Sequence, residues 1–333
     1  MLMCCGLTTF DVTQVVDRLP APDEKVTGRG STVMFGGPAA NAAATAAALG
    51  VATTLVTAIG SGPVGRVVRA QLETAGVRVI DLLEGHDVDP PVSTVLVTEA
   101  TGERAVVSVN DTASRAIPAA PVELDGAGVL LLDGWLHAAA VPLARTARAR
   151  GVRTVLDGGS FKLGTVELLA ECDVAIVSAD FELPPAAGAG VELPPTTASG
   201  ADSRTGSASG SGRDSTRPAP RGSLEDLVAI SALGPGYVAR SAGGGPIATL
   251  VEGAVVDVPV STPLRVVDTL GAGDVLHGAF AAAWHTWPGH PFEALELAAR
   301  VATASVEHAG ARGWVEERAA GFATEIREAV SAL

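Results

Sequence analysis

Short apolar runs alternate along most of this chain with stretches whose apolar positions recur at helical spacing. Residues 1–7 are nearly continuous apolar, the pattern of a strand buried on both faces. Residues 12–35 alternate loosely and carry Pro20 and Pro22, which predicts short, partly exposed strands. An Ala-rich helix over 38–49 follows, then a strand at 53–59, a helix at 66–75 and a strand at 77–82. Residues 92–97 and 104–109 alternate across Ala100-Thr101-Gly102, a hairpin signal. Further on, strands at 129–132, 154–156 and 174–177 alternate with helices at 138–150 and 166–170. A helix near 223–227 leads to strands around 228–232, 236–240 and 247–259. Val275, Ala279 and Ala283, with Leu276, Phe280 and Trp284, predict a helix from 274 onward. A second helix over about 292–308 stops at Gly310, and 315–332 forms a last amphipathic helix. This alternation predicts a parallel sheet with helices on both faces.

Residues 184–222 break the pattern. They are rich in Pro, Gly, Ser, Thr and Ala and cannot bury a core, which predicts a disordered low-complexity insertion. No charge stands between Arg29 and Arg66, but Gly36, Gly37, Pro38, Asn41, Gly50 and Gly60 interrupt that stretch. A buried helix and strand fit it better than a membrane span.

The totals narrow the classes. The chain has 333 residues, 47% hydrophobic and 18% charged, enough for one large α/β domain. A formal net charge of -14 argues against nucleic acid and against an anionic membrane surface. Any anionic substrate must then be held by local donors. Cys4, Cys5 and Cys172 show no metal-ligand spacing and suit reduced, buried thiols in a cytoplasm. The opening Met-Leu-Met-Cys-Cys-Gly has no signal-peptide pattern. The six histidines show no metal pattern either; for each, His137 and His277 included, a packing or surface role is expected.

The most specific chemistry lies at Asp268-Thr269-Leu270-Gly271-Ala272-Gly273-Asp274, just before a helix. Gly271, Ala272 and Gly273 let several N–H groups converge, and the helix adds the positive end of its dipole, so an anion site results. Asp274 stands beside it. A bound phosphate repels a carboxylate, so a base that takes a hydroxyl proton explains Asp274 better than simple binding does. Taken alone, the same residues also read as a tight turn with a first-turn acid. A second constellation is Phe35-Gly36-Gly37-Pro38-Ala39-Ala40-Asn41, where glycines allow close ligand approach and Asn41 lies one turn into the helix. Asp11 follows the first strand, at the end where ligands of parallel sheets bind.

Together these segments resemble the two signatures of the ribokinase, or phosphofructokinase-B, family of sugar kinases, over essentially the whole chain except 184–222. The resemblance implies one ribokinase-like domain over 1–333, a three-layer α/β/α sandwich with a small β-sheet lid from about 12–34 and 92–109. It implies transfer of a phosphoryl group from ATP to a primary hydroxyl of a small carbohydrate, a ketose or pentose, with Mg²⁺ brought by ATP and room for a monovalent cation such as K⁺. Asp274 would be the base, and Gly271, Ala272 and Gly273 the anion hole. Asp11, Gly36, Gly37 and Asn41 would bind the sugar. Gly234, Thr269, Ala302 and Ser305 would lie near the nucleotide. No metal ligand is assigned directly. The lid would cover the sugar and pair two copies into a homodimer.

Some family features are altered. Where the family has Asn-x-x-Glu, the chain has Ser178-Ala179-Asp180-Phe181-Glu182, with Asp180 or Glu182 as substitutes near phosphate or Mg²⁺. Asp157-Gly158-Gly159-Ser160-Phe161-Lys162 replaces Asp-Pro-Asn-x-Arg, and Lys162 either meets a phosphate or lies on the surface. The nucleotide turn is read at Ser231–Gly236. Three alternatives stand beside the sugar kinase: a nucleoside kinase of the same family, a non-catalytic sugar or nucleotide sensor, and an NAD-dependent oxidoreductase. The last rests on Gly60-Ser61-Gly62-Pro63-Val64-Gly65, a Gly-x-Gly-x-x-Gly match followed by a strand ending in Asp81. The family carries Gly-x-Asp-x-x-Gly there, with Gly62 now in the place of that Asp.

Overall fold

The computed structural model describes residues 1–100, 104–109, 117, 122–184 and 222–329. The stretch expected to be a disordered insertion, apart from its ends, and the Thr101-Gly102 turn lie outside the described residues.

The main sheet has nine strands: β1 (Leu2–Cys5), β4 (Thr53–Thr57), β5 (Val77–Asp81), β8 (Val129–Leu132), β9 (Arg153–Gly158), β10 (Val174–Val177), β11 (Tyr237–Ala242), β12 (Gly245–Val251) and β13 (Ala254–Val258). The order is β13-β12-β11-β10-β9-β8-β1-β4-β5. From β5 to β11 every neighbouring pair is parallel, and β12 and β13 add as antiparallel strands.

Side chains leave each strand alternately to either face. Leu2, Cys4, Leu131, Val155 and Ile176 point to one core, shared with helices α1 (Pro38–Ala48), α2 (Pro63–Thr74), α6 (Ala272–Thr286), α7 (Pro291–Ser305) and α8 (Ala320–Ala329). Met3, Cys5, Leu130, Leu132, Leu156 and Val177 point to the other, against α3 (His137–Ala149), α4 (Thr165–Glu171) and α5 (Leu224–Ser231). The adjacent Cys4 and Cys5 are thus free, buried and on opposite faces. The three-layer α/β/α arrangement is the expected one. Among the described residues no helix is long and apolar enough to cross a membrane.

The second sheet has four strands in the order β3 (Gly30–Gly36), β2 (Thr9–Val16), β6 (Val92–Thr98), β7 (Arg104–Ser108), drawn from the two segments expected to supply it. β2 and β6 pair in parallel, and β6 and β7 form the expected antiparallel pair.

Two elements differ from their expectation. Residues 228–232, read as a strand, are the end of α5 and the residues beyond it. Ser223 caps that helix by accepting from the Asp226 amide at 3.3 Å, and Leu227 and Ile230 bury one face. A short apolar run does not by itself separate a strand from a buried helix. The long strand 247–259 is a hairpin that turns at Glu252 and Gly253, both with positive φ.

The helices α1 and α6 lie unusually close. A Cβ on Gly278 would stand 2.4 Å from the Ala42 carbonyl oxygen, so only glycine permits the approach. The alanines of α1 keep its buried face equally thin. This brings the starts of the two helices together at the carboxyl edge of the sheet.

Candidate active site

α6 opens on Gly271 in the left-handed conformation at φ 75°, and no side chain caps the start. The Ala272 amide already donates to the Thr269 carbonyl at 3.3 Å, and the Gly273 and Asp274 amides that follow are the first-turn N–H groups open to an anion. A Cβ on Gly271 would meet the Ala311 Cβ at 2.5 Å, so the turn around 310–314 packs directly on this start.

Asp274 follows within the first turn. It accepts from Asn41 Nδ2 at 2.8 Å, and Asn41 Oδ1 in turn accepts from Arg312 Nη1 at 2.7 Å. Burial pushes the Asp274 carboxyl up to about 7, and nearby Asp157 and Asp133 push the same way. The Asn41 hydrogen bond and His277 oppose the rise. A carboxylate poised near neutrality suits a general base. Arg312 also donates to the Phe35 carbonyl at 2.9 Å and lies 3.7 Å from the centre of the Phe35 ring.

Buried acids support the site from below. Asp133, at the end of β8, is 1% exposed and accepts from the Leu7, Ala39 and Trp135 amides at 2.8, 3.1 and 2.9 Å. It supplies the cap that the Gly37 start of α1 lacks. Burial raises its carboxyl to about 6, although the bonds from Trp135 and Leu7 oppose this. Asp157, at the end of β9, is also raised by burial and opposed by His277 and Lys162. His277 is buried: Nδ1 faces the Gly273 carbonyl at 2.6 Å and Asp157 Oδ2 at 3.3 Å, and Nε2 faces the Ile176 carbonyl at 3.0 Å. It packs under the helix start, as expected of a structural histidine.

Two cavities meet at the start of α6. The polar one, about 240 Å³, is lined by Asp11, Gly37, Asn41, Gly271, Asp274 and Arg312 among others. Strand register explains its roof. Met34, Asp11, Ser93 and Ser108 form one row across the second sheet and line the cavity. Val33, Val12, Thr94 and Val107, one residue along, turn to the opposite face, where Val107 is 70% exposed. Gly36 does not line the cavity but makes room in it: a Cβ there would stand 1.9 Å from Asp11 Oδ2.

The second cavity, about 540 Å³, is mainly apolar, with Ile247, Val260, Val266, Leu276, Ala302 and Val306 among its walls. Thr269, Ala272 and Gly273 close its inner end. Arg104 reaches from the second sheet to bond Thr269 Oγ1 and pair with Asp268 at 3.4 Å. Sequence reasoning missed Ser241, Gly243 and Gly244, which line this cavity from the end of β11 and the turn to β12. A Gly-rich hairpin after a buried strand was the available signal.

The remaining expected residues lie elsewhere. Gly234 precedes β11, at the opposite edge of the sheet, where its missing Cβ makes room for the Leu169 carbonyl oxygen 2.4 Å from the Cβ position. The turn at 231–236, expected near the nucleotide, thus lies outside the lining of both cavities. Ser305 is buried and its hydroxyl donates to the Ala302 carbonyl at 2.8 Å. Asp180 and Glu182 are exposed after β10, at the correct edge but outside the lining of both cavities. Lys162 donates to the Ser160 carbonyl at 3.1 Å and sits 5.0 Å from the centre of the Trp135 ring. Among the described residues no group of three or more His, Cys, Asp or Glu could hold a metal ion.

The Gly60–Gly65 segment does open a helix, but a carboxylate already occupies it. Asp89 Oδ1 accepts from the Val64 and Gly65 amides at 2.8 and 3.0 Å. Asp81, the partner a dinucleotide ribose would need, is spent on the Ile59 and Leu83 amides and on Arg69. This helix start is closed to a pyrophosphate.

An uncapped helix start between a polar cavity and an apolar one, at the carboxyl edge of an α/β/α sandwich, is the arrangement of a group-transfer enzyme. The chain matches the pfkB family carbohydrate kinases over residues 1–180 and 224–318; it belongs to that family, and by family it is a sugar kinase. An ATP-dependent ribose-1-phosphate kinase from Halopiger xanaduensis is 34% identical over 184 residues, 52% of this chain and 60% of that protein. The match thus spans less than two thirds of that relative. A ribokinase from Arabidopsis thaliana is 24% identical over 323 residues, 93% of this chain and 77% of that protein. The solved structure of Arabidopsis thaliana ribokinase with ribose and ATP superposes with a TM-score of 0.69 at 21% identity, covering 97% of this chain and 98% of that one.

Proposed function

We propose that this chain transfers the γ-phosphoryl group of ATP to a primary hydroxyl of a small carbohydrate, a ketose or pentose, with Asp274 as the base. The observation that carries this reading is the division of labour at one helix start. Asp274 and Gly271 border the polar cavity, while Ala272 and Gly273 border the apolar one. An acceptor hydroxyl beside Asp274 and a phosphoryl group on the first-turn amides would then be adjacent. Phosphoryl transfer needs mainly such positioning and charge stabilisation.

Asp11, Ser93, Ser108, Asn41 and Arg312 offer donors and acceptors to sugar hydroxyls. The polar cavity is smaller than the ~300–1,000 Å³ typical of drug-sized ligands, which favours a monosaccharide over a nucleoside. The apolar cavity suits a nucleoside base, and Thr269 and the first-turn amides suit its phosphates. Mg²⁺ would arrive with the nucleotide and neutralise phosphate charge. The exposed valines on the outer face of the second sheet would be covered in a homodimer.

The test is ADP release with Mg-ATP across ketoses, pentoses, sugar phosphates and nucleosides, with Asp274→Asn as control. Turnover on one sugar class, abolished in the variant, supports the reading. Turnover that survives in the variant removes Asp274 as base, and sugar binding with no ATP binding points to a sensor.

A further inference from the structure

We propose that Arg312 is a positioning residue for phosphoryl transfer: it holds Asn41 in one amide orientation and so keeps the Asp274 carboxylate turned into the polar cavity. This rests on the reading of Asp274 as the base.

The chemistry of the three groups allows one arrangement. A guanidinium only donates, and an ionised carboxylate only accepts. Asn41 lies between them, with Oδ1 toward Arg312 at 2.7 Å and Nδ2 toward Asp274 at 2.8 Å. A flipped amide would set NH₂ against guanidinium and oxygen against carboxylate, two repulsive contacts in place of two bonds. Without Arg312 that penalty halves, and Asn41 is freer to turn away from Asp274.

Arg312 is itself held firmly. Its second arm bonds the Phe35 carbonyl, and the guanidinium lies over the Phe35 ring. Its turn is tied to the 268–271 segment at two adjacent points. The Gly310 amide donates to Asp268 Oδ2 at 2.9 Å, and Ala311 packs on Gly271. Trp314 anchors the turn in the core and bonds the Ala311 carbonyl at 2.9 Å. The position of Arg312 is thus coupled to the groups that would hold the phosphoryl oxygens.

Charges from every side act on Asp274. Asp157 on β9 and Asp133 just after β8 disfavour its ionised form, and Asn41 on α1 and His277 on α6 favour it. Arg312, from the turn after α7, is attracted to both Asp11 on β2 and Asp274. Removing Arg312 therefore loosens the Asn41 bond and deletes a nearby positive charge, which shifts Asp274 toward its neutral form.

The experiment needs no substrate. Infrared difference titration of the full chain reads the Asp274 carboxyl band, identified by its absence in Asp274→Asn. The midpoint is expected to rise by roughly one pH unit in Arg312→Met and by less in Arg312→Lys, which keeps charge but not the fork. In an Asn41→Ala background the Arg312→Met shift is expected to shrink by more than half. An unmoved midpoint in folded Arg312→Met, or an undiminished shift in the Asn41→Ala background, overturns the proposal. If thermal melting shows Arg312→Met unfolded, Arg312→Lys decides on the same criterion. Should Asp274→Asn keep its turnover, the base reading fails, while the titration still reports on the Arg312–Asn41–Asp274 chain.

Discussion

Asn41 and Asp274 stand 233 positions apart in the chain, yet the amide of one donates to the carboxylate of the other at 2.8 Å. The contact depends on two helices packed closely enough that Gly278 admits no side chain over Ala42. Both residues were expected at the site, but as a sugar ligand and a base acting separately. The structure couples them before any substrate arrives.

Replacing Asp274 by Asn should lower turnover by ~10²–10⁴ while calorimetry shows sugar binding retained. Since burial raises this carboxyl to about 7, the wild-type kcat/KM should fall as pH drops through neutrality and the base takes up a proton. The stability sign is the reverse of the usual carboxylate case. A raised folded-state pKa stabilises the protein only at low pH, and that contribution is lost as pH rises through about 7. The Asn variant should therefore melt above wild type in mildly alkaline buffer, with the difference closing under acid.

Gly36→Ala should raise the sugar KM at least ~10-fold, the cost of displacing one charged hydrogen-bond partner, and leave ATP affinity unchanged. The added methyl would occupy the place of Asp11 Oδ2. An unchanged KM in steady-state kinetics would mean that Asp11 does not touch the sugar.

Two substitutions separate the apolar cavity, proposed here for the nucleotide, from the turn at 231–236. Ala302→Phe fills the apolar cavity and should abolish measurable ATP binding by calorimetry. Gly234→Ala should leave ATP binding intact but destabilise the fold by about 1–3 kcal/mol, because its Cβ would collide with the Leu169 backbone. Loss of ATP affinity in folded Gly234→Ala would restore the original placement of the turn.

Asp133→Ala should cost about 3 kcal/mol or more in urea unfolding, since it strands buried amides at Leu7, Ala39 and Trp135. A loss confined to activity, with the urea midpoint unmoved, would instead make Asp133 a participant in the reaction.

Local pattern was enough for the architecture. Buried strands at 129–132 and 174–177, the Ala-rich helix after Pro38 and the Gly271–Asp274 helix start all carry their signal within a few neighbouring residues, because period, caps and glycine turns are local physics. What stayed hidden was pairing across distance. Gly60–Gly65 has the local form of a pyrophosphate site, and only the fold shows that Asp89 fills it where the related turn carries its own Asp. Arg312 sits in an ordinary stretch of sequence and reaches the site only because its turn packs on Gly271. Gly234 and Gly243 look alike along the chain, yet they lie at opposite ends of β11, and only one end faces the cavity. The sequence by itself determined most of the strands and helices and the glycine turns that open α2 and α6, since those follow from neighbours, while 228–232 and 247–259 needed the fold to settle them. The tertiary structure decided which carboxylates are free and which are taken, because hydrogen-bond partners are set by distance in space.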